Sequence, residues 1–93
     1  MTADGTHGAA ANATLDSVLQ DLTDVLADEF GVPRARIIPE ADMFGDLELD
    51  SLDLLSAIAV LEQRLNITIL DEDIGHMVTV RVAAEVILSK LAP

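Results

Sequence analysis

From Asp46 to Leu65 the chain reads D-L-E-L-D-S-L-D-L-L-S-A-I-A-V-L-E-Q-R-L, an acidic approach that turns at Asp50 and Ser51 into a run with helical spacing. At about 100° per residue, Leu54, Ala57, Ile58, Leu61 and Leu65 fall on one stripe, the core face of an amphipathic helix. Asp50 is a good N-cap, and Asp53 adds a carboxylate to the first turn, where the helix dipole favours it. Opposite the core stripe, Leu52, Leu55 and Ala59 form a second apolar stripe, mixed with Ser56 and Gln63. A helix apolar on both sides is either buried on both sides or docks a partner. In a chain of 93 residues double burial is hard to arrange, so the second stripe reads as a docking face.

Working outward, Leu15, Val18, Leu19, Leu22, Val25, Leu26 and Phe30 repeat at the spacing of another amphipathic helix, with Asp16, Asp21, Asp24 and Asp28 on its other face. Gly31 and Pro33 end it near Phe30. Residues 31 to 49 have no useful period and read as a long loop, anchored by Val32, Ile37, Ile38, Met43, Phe44 and Leu47. A strand at Arg36 to Ile38 would lack a partner. Beyond Leu65, a short helical turn is expected around Asp71 to Met77. Thr79 then caps a last helix with Ala83, Val86, Ile87 and Leu91 on one face and Lys90 near its C-terminus. Residues 1 to 13 read as a mobile tail, which leaves 14 to 93 as one folded domain.

Composition narrows the classes. Hydrophobic residues make up 51% of the chain, yet Phe30 and Phe44 are its only aromatics, so the core is aliphatic and helices are favoured over a sheet. A domain this small has no room for an enzyme cleft plus its scaffold. Without cysteine, disulfides and thiolate metal sites are excluded, in keeping with a reducing cytoplasm. Seventeen acidic residues against five basic ones give a net charge of −12, which repels nucleic acid and anionic membranes and steers towards basic partners. The apolar runs are too short to span a bilayer, and the N-terminus lacks the features of a secretory signal, so a cytoplasmic location is expected.

Three chemistries compete at Ser51. A calcium loop counted from Asp46 needs Gly sixth and Glu twelfth, where the chain has Ser51 and Ala57. A catalytic serine needs flanking glycines of an elbow and a base; His7 lies in the expected tail and His76 is isolated, so no metal or catalytic residue is assigned. Covalent modification remains, because a serine opening a helix at the mouth of a loop is exposed and helix N–H groups favour a phosphodiester there. Spacing alone fits a plain N-cap serine equally well.

The stretch quoted above, followed by N-I-T-I-L-D-E-D-I from Asn66 and T-V-R-V-A-A from Thr79, resembles the acyl carrier protein family from about Leu15 to Leu91. The hallmark D-S-L is Asp50-Ser51-Leu52. The resemblance implies an all-α four-helix bundle, three helices longer and one short, with a long loop between the first and second. It implies that Ser51, flanked by Asp50 and Leu52, carries 4′-phosphopantetheine added from coenzyme A by a phosphopantetheinyl transferase, in a chain that catalyses nothing itself. Implied partners of the monomer are an acyl-activating ligase or acyltransferase and a ketosynthase with other synthase enzymes. Leu52, Asp53, Leu55, Ser56, Ala59 and Glu62 would form the docking surface. Leu61, Ile69, Val78 and Val82 would line an acyl pocket, though each also fits an ordinary core.

Glu48 stands where many family members have Gly, Ser56 where a partner-binding Glu is common, and Leu70 where Pro often precedes the acidic turn, while Gln63 and Arg64 dilute the acidity of the second helix. These departures point to a dedicated carrier in a specialised lipid, fatty-acid or polyketide pathway. An aminoacyl or D-alanyl carrier and an unmodified helical interaction module are the alternatives.

Overall fold

Local rules set the helix ends in the computed structural model, which describes residues 13–91. Helix α1 spans Leu15–Phe30 and starts at Thr14, whose side chain accepts from Ser17 N while Ser17 Oγ accepts from Thr14 N. Both caps satisfy donors that a helix start leaves open. It ends at Gly31, left-handed at φ 69°, whose N–H reaches Ala27 O at 3.1 Å. Helix α2 covers Ser51–Leu65 and closes on left-handed Asn66, α3 is the short Asp71–Ile74, and α4 runs Val80–Leu91. Thr79 Oγ1 accepts from Val82 N at the start of α4, the capping role its position suggested. The expected tail, residues 1 to 13, lies outside the described residues except for Ala13.

Helix α1 packs against both α2 and α4. Val18, Leu22, Val25 and Leu26 from α1 meet Leu54, Ala57, Ile58 and Leu61 from α2 and Val80, Ala83, Ala84 and Ile87 from α4. All are aliphatic, as a chain nearly without aromatics requires. The expected all-α bundle of three longer helices and one short one is what the chain forms, and the described residues contain no strand.

The long loop between α1 and α2 is ordered by its own hydrogen bonds. Val32, Ile37, Met43 and Leu47 are buried as expected, but Ile38 and Phe44 are 50% and 43% exposed and correct the set of expected anchors. Ile38 sits in the turn after a short 3-10 segment, Arg34–Arg36, so the stretch from Arg36 is a turn rather than a strand. Phe44 rides on a tight turn in which Asp42 Oδ1 accepts from Phe44 N at 2.9 Å and Gly45 N at 2.6 Å. Asp46 Oδ2 in turn accepts from Asp42 N at 2.7 Å. This turn is tied to the segment before α4 by Met43 N donating to Val78 O at 2.8 Å, an isolated antiparallel bridge between Asp42 and Thr79, and Val80 N donating to Ala41 O at 3.0 Å. The middle of the loop and the α3–α4 connection are therefore one unit.

A Cβ at Gly31 would meet nothing within 4 Å, so the cost of a side chain there is the left-handed backbone alone. Gly31→Ala is expected to lower unfolding free energy in a urea titration by about 1 kcal/mol.

Candidate functional site at the start of α2

Asp50, not Ser51, caps α2. Asp50 Oδ1 accepts from Asp53 N at 2.8 Å, and Asp53 Oδ2 accepts from Asp50 N at 3.2 Å, a reciprocal box made by two carboxylates. Ser51 is thereby the first helical residue, exposed, with no hydrogen bond to its hydroxyl among the described residues. The N–H groups of Ser51 and Leu52 are at the positive end of the helix dipole and precede Leu54 N, the first N–H to donate within the helix, to Asp50 O. A phosphate ester on Ser51 Oγ would meet donors and a favourable field.

Glu48 has φ 57°, a left-handed conformation that costs a residue with a Cβ about 1 kcal/mol and costs glycine little. Glycine would hold the same backbone with less strain. Here Glu48 holds the conformation with its carboxylate 3.4 Å from Arg36, an exposed pair. Both its turn and the Asp50 cap aim the chain into α2.

Beside Ser51 lies a hollow of about 260 Å³ lined by Phe44, Ser51, Leu54, Leu55, Ile74, Gly75, Met77 and Val78. Leu54 and Leu55 come from the first turn of α2, Ile74 and Gly75 from α3 and its end, and the bridge between loop and α4 start brings Phe44 to Val78. Ser51 supplies the one side-chain hydroxyl in an otherwise apolar lining. Of the residues proposed from sequence for a pocket, Val78 lies on it. Leu61 and Ile69 are buried in the core and Val82 is half-buried on α4, all off the lining. The reason for Leu61 is axial distance: ten residues along a helix is about 15 Å. Ile69 is held by its N–H donating to Glu62 Oε2 at 2.9 Å. Phe44, Ile74, Gly75 and Met77 carried no periodic signal, because three separate segments bring them together.

On the opposite stripe, Leu52 is 73% and Leu55 48% exposed, and Ser56 and Ala59 are exposed beside them. Asp53 and Glu62 are half-buried and make structural bonds, Asp53 to the cap and Glu62 to Ile69 N. Arg64 reaches Glu29 of α1 at 3.6 Å. His76 is exposed and His7 lies outside the described residues, and no cluster of metal-ligating side chains occurs among the described residues.

On α3, the Asp73 carboxyl is held below its ordinary value first by Lys90, 2.8 Å away, and next by the Leu70 N–H. A depressed carboxyl contributes stability above its unfolded pKa, about 3.9, and loses it as pH falls through the lower folded value.

A family model described as a phosphopantetheine attachment site matches residues 20–87. The chain is 36% identical over 73 residues to the acyl carrier protein of Rubrobacter xylanophilus, covering 78% of this chain and 90% of that one. It is 38% identical over 64 residues to the acyl carrier protein of Helicobacter pylori, covering 69% and 82%. Its fold superposes on the acyl carrier protein of Enterococcus faecalis with a TM-score of 0.68 at 26% identity, over 84% of this chain and 99% of that one.

The cap assignment separates two neighbouring substitutions. Asp50→Ala is expected to cost about 1 kcal/mol in urea unfolding, while Ser51→Ala changes stability by less than about 0.5 kcal/mol.

Proposed function

The chain belongs to the acyl carrier protein family, non-catalytic carriers with covalently attached 4′-phosphopantetheine, and we propose that Ser51 bears the arm in this one. The observation that carries the proposal is that Ser51 is exposed, free of the capping duty that Asp50 performs, and on the rim of an apolar hollow. When attached, the arm supplies a terminal thiol that holds acyl groups as thioesters. A phosphopantetheinyl transferase would install it from coenzyme A. Asp50 fixes the backbone that presents Ser51, and Leu52 lies beside it on the solvent side.

Leu54, Ile74, Met77 and Val78 offer an acyl chain an apolar refuge, supporting an acyl rather than an aminoacyl cargo. An aminoacyl group would bring an ammonium to that surface, with no buried carboxylate among the described residues to pair it. Leu52, Leu55 and Ala59 would supply contact area to acyl-activating and synthase enzymes. Asp53 and the exposed Glu48 would orient a basic partner, with Glu62 adding charge from its structural position. Ser56, neutral in the middle of that stripe, supports a dedicated partner in a specialised lipid, fatty-acid or polyketide pathway. The proposed setting is the cytoplasm, in keeping with a cysteine-free chain whose described helices are none of them long and apolar enough to cross a membrane.

Intact-mass measurement after co-expression with a broad phosphopantetheinyl transferase tests the attachment. The expected result is a gain of one phosphopantetheinyl group that disappears in Ser51→Ala; no gain, or the same gain in Ser51→Ala, contradicts it and favours an unmodified interaction module. Leu52→Asp, at a position exposed enough to leave the bundle intact, is expected to slow arm addition at limiting carrier concentration by about tenfold.

A further inference from the structure

The hollow beside Ser51 is bordered by α2 and by α3, and these two borders are held in different ways. Helix α2 has 15 residues and buries Leu54, Ala57, Ile58 and Leu61. Helix α3 has 4 residues and buries none of them. A helix that short is far below the length that stands on its own. Nor does α3 pack on α1 as α2 and α4 do. It hangs between two anchored points, Ile69, buried with its N–H on Glu62, and Met77, 2% exposed. Within that span, the strongest tie is Asp73. Its Oδ2 accepts from Leu70 N at 3.0 Å, which caps α3, and from Lys90 Nζ at 2.8 Å, which ties α3 to the last turn of α4.

This ion pair is the least exposed one among the described residues. The Asp73 and Lys90 side chains are 21% and 27% exposed, whereas both partners of the Arg36–Glu48 and Arg81–Glu40 pairs are more than half exposed. A covered pair is screened less by salt and held in one geometry more firmly. The next two residues, Ile74 and Gly75, are the ones that line the hollow.

We propose that the Asp73–Lys90 pair is the latch that holds α3 as the closing wall of the hollow and so sets how well this carrier shelters an acyl chain. Released from Lys90, residues 70–76 can swing between Ile69 and Met77 at small cost to the core, because α3 fully buries no side chain and only Ile74 packs partly against it. The sheltering half of the inference rests on the reading of Ser51 as the arm-bearing residue; the motion of the wall does not.

Hydrogen exchange on the full chain without its arm tests the wall. In Lys90→Gln, which keeps side-chain length and removes the charge, the amides of residues 73–77 are expected to exchange at least about fivefold faster, with α1, α2 and α4 unchanged. Lys90→Arg, which restores the charge, is expected to return them to within about twofold of the native rate. Unchanged exchange in Lys90→Gln, or equal acceleration throughout the bundle, overturns the latch. For the sheltering half, the arm-bearing chain is loaded with an octanoyl or an acetyl group and cleaved with hydroxylamine. Lys90→Gln is expected to speed loss of octanoyl severalfold and leave acetyl unchanged, and equal octanoyl rates overturn it. A chain that takes no arm would be recognised by its unchanged mass before loading, and the exchange result would stand.

Discussion

The reciprocal hydrogen bonds between Asp50 and Asp53 fix the residue at which α2 begins, and the functional geometry depends on that start. With Asp50 as cap, Ser51 is exposed at the first helical position, Leu54 points into the bundle and Leu52 points away from it. The helix period then does the rest, since each residue advances about 100°. Leu55, one turn after Leu52, lies where the hollow and the outer stripe meet, exposed and yet part of the lining. The cap also leaves the Ser51 hydroxyl free, which a serine acting as its own cap would not have.

Acidic side chains do more here than set net charge. Asp42 and Asp46 build the loop turn, Asp50 and Asp53 build the helix start, Glu62 anchors Ile69, and Asp73 joins α3 to α4. Each accepts backbone N–H groups or pairs with a cation, so carboxylates that order the irregular segments, Asp50 and Asp53 among them, also make the surface around Ser51 anionic. With few basic residues available for internal pairing, that field is left for partners to neutralise. Asp21 illustrates the cost of such density: partial burial, and then the neighbouring Asp24, raise its pKa above the ordinary carboxylate value.

Much of this was legible in the sequence because helix periodicity and caps are local. The ends of α1 and α2, the core stripe of α2, the exposed stripe opposite it and the resemblance around D-S-L could all be read residue by residue. The hollow could not. Phe44, Leu54, Ile74 and Met77 come from separate segments, and the bonds that assemble them, Met43 N to Val78 O and the Asp42–Thr79 bridge, leave no period in the sequence. For the same reason Phe44 and Ile38 were expected as anchors on hydrophobicity alone, whereas turn geometry carries both outward. Glu48 ran the other way: it looked like a departure in side chain, and the structure identifies the backbone conformation that the position demands.

The central claim is that an acyl group carried at Ser51 has the hollow between α2 and α3 as its neighbour. Comparing backbone amide chemical shifts of the arm-bearing chain with and without an octanoyl group tests it most directly. The account predicts shifts concentrated at Phe44, Leu54, Leu55, Ile74, Gly75, Met77 and Val78. Shifts centred instead on Leu61, Ile69 and Val82, or no shifts in the hollow at all, would contradict it.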